Sequence, residues 1–335
     1  MNKENISFID YCYEIHNELS SGKSTALQEK KSFSISSFSQ ISPKISEEKL
    51  QKIFKQNIEK TINKYIADFS NELVEYRKLK EVNFYENSIS LYLTFIILWC
   101  IDNKVNLSKD SLNKICQYAF VGTVGYRLID LQQDHNLLET KSIYIGLYLI
   151  NISEELLKEI FPVKETVSII KKYSTLYNKT EYKEKQNRWK SCPFSWNNVD
   201  ELGYKAAPIF SIFELIFKLV GFDNKKTLSL LGALNKVVAS TQLCDDISDA
   251  HEDLSNGFET LVMSGFYYEH PERQDINIKT VEEFINSNRL KIFYEKNMAL
   301  LNEASKIFSK YDEYLFVFLL ETHKARFLEG FEINN

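Results

Sequence analysis

From Glu47 almost to the last residue, apolar side chains recur three and four positions apart, and strand-like alternation is nowhere sustained. That pattern restricts the chain to helical folds. Punctuation is sparse too: ten Gly and five Pro in 335 residues leave room for few turns. The spacing predicts helices over 47–69, 71–80, 86–102, 108–134, 140–158, 164–176, 201–220, 225–254, 280–286, 290–309 and 311–330. A short amphipathic helix is expected over 6–19. Between Ser20 and Ser46, Ser, Lys and Gln dominate without periodicity, as in a mobile linker. The chain therefore divides into an N-terminal helix with a mobile polar segment, 1–46, and one all-α domain, 47–335. An apolar fraction of 44% suffices for a substantial core, arranged as a bundle around a central apolar cavity.

Composition narrows the partners. A formal charge of −5 gives no reason to expect nucleic acid or an anionic membrane. The five cysteines are scattered and never closely paired, which argues against a disulfide framework or a zinc site and fits a reducing cytoplasm. The first residues mix charges among apolar side chains, unlike a signal peptide. The longest apolar run, Leu91 to Ile101, is too short to span a bilayer.

The residues that carry chemistry lie between Gln242 and Thr260, in QLCDDISDAHEDLSNGFET. Asp245, Asp249 and Asp253 are spaced four apart, and each such step on a helix turns only about 40°. The three carboxylates thus form one stripe, with Glu252 beside it. Together with Asp246 they make five acids in nine residues, which repel one another unless a positive group lies against them. A solvated acidic face would carry Lys or Arg at i+4. None occurs between Val238 and Leu261. The helix leading in, from Leu228, is largely apolar, and Ser255-Asn256-Gly257 reads as its stop. An acidic stripe at the end of a buried helix points to a metal site.

This segment resembles the second aspartate-rich motif of the trans-isoprenyl diphosphate synthases and the class I terpene synthases related to them. Gln242, Asp245, Asp246, Asp249, Glu252, Asp253, Gly257 and Thr260 all fit that pattern. The spacing of Asp245, Asp249 and Asp253 also matches the magnesium triad of terpene cyclases, with Asp249 where Ser or Thr is usual. The resemblance implies the isoprenoid-synthase fold, with two acidic motifs facing each other across the mouth of an apolar pocket. It also implies a Mg2+ cofactor, three ions per site, and a prenyl diphosphate substrate. Relatives by this resemblance are often dimers, which makes a homodimer one reading and leaves the oligomeric state open.

A partner motif should lie on an earlier helix. The candidate is the segment Gly125–Asp134, where Asp130 and Asp134 again sit four apart on one face; Leu131 replaces the second aspartate of the family's usual form. Arg127 lies on a neighbouring stripe and is a candidate to bind the substrate. Mg2+ is commonly held by one or two carboxylates plus substrate phosphates, which suits two such acidic walls. Among basic groups, Lys205 in Gly203-Tyr-Lys-Ala-Ala207 resembles the Lys-Thr-Ala/Gly segment that precedes the second motif in these synthases. Arg188, Lys190 and Arg326 are further diphosphate candidates, and each also reads as an ordinary solvated base.

A chain-elongating synthase needs a second basic site for isopentenyl diphosphate, which the family supplies with Gly-Lys-Arg and Arg-Arg-Gly strings. Neither is present. The expected activity is therefore a class I terpene synthase or cyclase, a lyase that ionises one prenyl diphosphate. Chain elongation is the alternative, and a non-catalytic helical binding protein is the third reading. Aromatic faces stabilise a carbocation by about 0.5–2 kcal/mol each when desolvated. Phe95, Trp99 and Phe210 are candidates to line the cavity, with Phe120, Tyr126 and Phe213 close behind, although each also reads as plain core. A ferritin-like site would need Glu-x-x-His, and no histidine here has Glu three residues before it.

Overall fold

The computed structural model describes residues 7–20, 52–53, 56, 93–135, 141–187, 192, 194–256, 258–262, 264, 279, 290–317, 320–321 and 323–324. Among them every regular element is helical. They fall into two compact units, 1–168 and 169–335. The expected boundary near residue 46, the polar linker and the helices over 71–80 and 280–286 lie outside the described residues, apart from Lys279 beside the last of these.

In the first unit, α1 (Phe8–Ser20) begins with a reciprocal cap. The Asp10 N–H donates to Ser7 Oγ at 3.1 Å, and Ser7 Oγ donates to the Asp10 carboxylate at 2.7 Å. A helical stretch over 93–102 supplies Phe95 and Trp99, both about 1% exposed. The next helix, α2 (Lys109–His135), starts where Ser108 Oγ accepts from the Ser111 N–H at 3.0 Å. Phe8 meets Phe120 of α2 edge-on at 6.2 Å. Cys12, Cys100 and Cys116 are buried in this core, and burial pushes all three thiols far above their ordinary range.

Helix α3 (Lys141–Lys158) packs along α2 at a spacing that two glycines set. A Cβ on Gly125 would stand 2.7 Å from the Gly146 carbonyl oxygen, and one on Gly146 would stand 2.6 Å from that of Gly125. Only hydrogen fits at either position.

The division between the units falls within α4 (Val163–Asn187). This helix runs eleven residues beyond its expected end at 176. Its inward stripe past that point is polar, with Thr180 buried and Glu184 largely so, and apolar spacing therefore missed it. Ion pairs hold it instead: Lys183 to Glu201 at 2.6 Å and Glu184 to Lys205 at 2.9 Å.

The second unit also corrects the helix expected over 201–220. Val199–Ile209 is a 3-10 segment, kinked at Ala206 (φ −110°, ψ 20°) with Pro208 inside. Proline has no N–H to donate and crowds the carbonyl four residues back, so an α-helix cannot run through it. Helix α5 (Phe210–Leu219) follows and is almost wholly buried. Its single acid, Glu214, accepts from Lys172 Nζ and Tyr173 Oη of α4, both at 2.6 Å. Burial would raise the Glu214 carboxyl, but these two donors outweigh it and hold it below the usual range. Gly221 (φ +82°) lets α5 end in a tight turn, with the Phe222 N–H donating to Phe217 O at 3.0 Å.

Helix α6 (Asn224–Ser248) opens with Asp223 accepting from the Lys226 N–H at 2.7 Å. It packs on the 3-10 segment and on α8 (Leu290–Lys310). Phe213, Phe217, Phe308 and Phe316 interlock at centroid distances of 5.3–6.2 Å. Full burial of each stabilises the unit by about 1.5–3 kcal/mol.

Candidate functional site

The helix expected over 225–254 is two helices, α6 and then α7 (Ala250–Asn256), hinged at Asp249 (φ −96°, ψ 5°). Ser248 Oγ donates back to Cys244 O at 3.0 Å, the kind of bond that bends helices. The four-residue rhythm survives the bend. The Asp249 N–H donates to Asp245 O, and the Asp253 N–H to Asp249 O, both at 2.8 Å. The Phe258 N–H then closes the end on Asp253 O at 2.8 Å, a Schellman-type bond.

Leu243 and Ala250 anchor this joint to an apolar floor that includes Leu202, Phe194, Val262 and Phe293, with Ile247 packed against it. Above the floor, Asp245, Asp246 and Asp253 are half-buried, whereas Asp249 and Glu252 are exposed. Gln242 Nε2 reaches Asp245 Oδ2 at 3.5 Å.

Two other elements deliver charge to the joint. The 3-10 segment brings Lys205, and α4 brings Glu184; Lys205 Nζ lies 2.9 Å from Glu184 Oε2 and 3.2 Å from Oε1. Burial pushes the Asp246 carboxyl well above the usual carboxylate range. Lys205 opposes that shift, while Asp253, Glu184 and Asp245 add to it. Cys192 belongs to the same cluster. Its thiol is pushed up to about 12 by burial, with Asp246, Glu184 and Glu259 contributing and the Phe194 backbone opposing. Glu184 has no motif to mark it in the sequence, since it reaches the joint only through the tertiary fold.

A clamp fixes the 3-10 segment on α6. Asn235 Nδ2 donates to Asp200 O at 2.6 Å, and Lys236 Nζ pairs with the Asp200 carboxylate at 2.9 Å and with Glu303 at 3.1 Å. Gly203 lies so close that a Cβ there would overlap the backbone and side-chain oxygens of Asn235.

In the first unit, Asp130 sits one turn before the end of α2. Arg127, 8% exposed, donates through its guanidinium to Asp130 Oδ2 at 2.7 Å. Asp134 lies on the last turn of the same helix. Phe95, Trp99 and Phe120 are core residues of this unit; Phe210, edge-on to Tyr173 at 6.0 Å, and Phe213 are core residues of the second. Arg188, Lys190 and Arg326 lie outside the described residues. Among the described residues, no three His, Cys, Asp or Glu side chains converge closely enough to hold a metal ion by themselves.

The arrangement of helices is similar to that in the crystal structure of heptaprenyl diphosphate synthase from Staphylococcus aureus. The two align with a TM-score of 0.59 over 84% of this chain and 98% of that one, at 16% identity. The chain has the isoprenoid-synthase fold. No family model matches the sequence, and no curated protein matches it. Within this fold, Asp245, Asp246 and Asp253 stand on one helix joint, with Lys205 in electrostatic range of Asp246. No helix among the described residues is long and apolar enough to cross a membrane.

Proposed function

We propose that this protein is a Mg2+-dependent class I terpene synthase, which ionises a linear prenyl diphosphate to an allylic carbocation and releases diphosphate. The observation that carries the reading is the acidic joint itself: Asp245, Asp253, Glu184 and Lys205 all act on Asp246, in a chain with the isoprenoid-synthase fold. Four carboxylates against one ammonium leave an excess of negative charge, a donor set that fits divalent cations and repels a bare diphosphate. Asp245, Asp249 and Asp253 are the proposed ligands on this joint, and Asp130 and Asp134 the other carboxylate pair. Because no three carboxylates among the described residues converge by themselves, each cation would take one or two of them and complete its shell with phosphate oxygens and water. Bound Mg2+ would supply the electron withdrawal that weakens the allylic C–O bond.

The protein's own groups do the rest. Lys205 donates to a non-bridging phosphate oxygen and stabilises the charge that builds there as the bond breaks. Arg127 orients Asp130 through their 2.7 Å pair. Phe95, Trp99 and Phe210 are the aromatics proposed to shield the hydrocarbon from water and to stabilise its positive charge. A cytoplasmic enzyme, working as a homodimer, completes the proposal.

Chain elongation with isopentenyl diphosphate is the second reading, favoured by the likeness to a heptaprenyl diphosphate synthase. The missing Gly-Lys-Arg and Arg-Arg-Gly strings weigh against it. Purified protein and Mg2+ incubated with ten-, fifteen- and twenty-carbon prenyl diphosphates, with and without isopentenyl diphosphate, separate the two. Hydrocarbon or alcohol from one substrate alone supports the lyase. A longer diphosphate formed only with the second substrate supports elongation, and no turnover under any condition refutes both.

A further inference from the structure

We infer that Glu184 is a positioning residue that occupies Lys205 in place of a phosphate oxygen, so that the diphosphate is accepted only together with divalent cation. The inference rests on the reading of the acidic joint as a diphosphate site and adds a residue that its motifs do not contain. Glu184 comes from the polar end of α4, and its carboxylate meets the ammonium through both oxygens, at 2.9 and 3.2 Å. That is the distance at which an ammonium meets a phosphate oxygen. The pair is sheltered, with side chains 24% and 14% exposed, so solvent screens it only in part. A diphosphate arriving alone must draw Lys205 from Glu184 while lying near Glu184, Asp246 and Asp253, and like charges at such range repel strongly. Cations that arrive with it cancel that repulsion, and Lys205 then serves both anions.

The test is isothermal titration calorimetry with inorganic diphosphate, in EDTA and in Mg2+, on the wild type, Glu184→Gln and Glu184→Asp. Glutamine keeps the shape and an acceptor for Lys205 but removes the charge. In EDTA, Glu184→Gln is expected to bind diphosphate at least about tenfold more tightly than the wild type, and Glu184→Asp to stay close to the wild type. In Mg2+ the three should agree within about threefold, since cations supply the missing compensation. A purely structural role for Glu184 would not make the affinity difference depend on metal. Should Glu184→Gln fail to fold, Glu184→Ala tests the same loss of charge at a helical position. Equal affinities in EDTA, with normal binding in Mg2+, overturn the inference and leave the diphosphate site standing. Absence of diphosphate binding by every protein, with and without Mg2+, overturns both.

Discussion

Replacing Gly203 by alanine tests whether the clamp on α6 sets the position of Lys205. The new Cβ would overlap the Asn235 backbone and side-chain oxygens and lie 2.8 Å from its Cγ, where ordinary contact begins near 3.4 Å. Asn235 is buried, and its backbone oxygen belongs to α6, which other packing holds in place. The 3-10 segment must therefore lift by about 1 Å, carrying Lys205 with it. Overpacking of this kind costs about 1–3 kcal/mol. At about 2–4 °C per kcal/mol for a unit of this size, the melting temperature should fall by about 2–12 °C. Misplacing a substrate-holding group by about 1 Å costs on the order of 100-fold in turnover. Adding Asn235→Ala to Gly203→Ala should restore neither loss, since the backbone oxygen remains and the Asn235 Nδ2 bond to Asp200 O is removed. Thermal melts by circular dichroism and turnover of a prenyl diphosphate provide the two readouts. A melting temperature unchanged within about 1 °C would show that the close approach does not exist in solution; a lower one with unchanged turnover would detach Lys205 from catalysis.

Asp245→Ala should abolish turnover and leave the far-UV circular dichroism intact; near-normal activity would remove this residue from the metal site. Tyr173→Phe deletes a 2.6 Å donor to the buried Glu214 carboxylate and should destabilise by about 1–3 kcal/mol, read in urea unfolding, with a null result meaning that Lys172 alone suffices. Asp246→Asn addresses pH. The native carboxyl is raised by burial above its unfolded value of 3.8, so the folded state binds the proton more tightly. Stability therefore falls as pH rises from the unfolded value through the raised native one, and stays lowered above it. In EDTA the variant should be more stable than the wild type at neutral pH, with the gap closing toward about pH 4; a gap independent of pH would contradict that account.

The sequence makes the acidic stripe legible because its period survives the bend at Asp249: Asp245, Asp249 and Asp253 remain linked through backbone bonds one turn apart. The long apolar helices were legible for the same reason, with α2, α3, α6 and α8 starting within a residue or so of their expected positions. Apolar spacing fails where polar groups do the packing. The end of α4 is helical through Thr180 and Glu184, which a hydrophobic count scores as surface. Pro208 did announce a break inside 201–220, but a uniform helical period across that stretch masks it. Lys205 stood out only through its likeness to a known motif. Its partner Glu184 lies 21 residues away on another helix, a neighbour that no local pattern encodes.

The contact between Gly125 and Gly146 has a consequence for how this protein can change over time. Each glycine faces the other's carbonyl oxygen where a Cβ would stand, so no repacking of neighbouring side chains can absorb a larger residue at either position. A descendant that gained one methyl there would have to reroute a whole rod of the first unit. Arg127 and Asp130, half a turn and more beyond that glycine, would travel with it. Inheritance of this pair of smallest residues and inheritance of the earlier carboxylate are thus tied together by geometry alone.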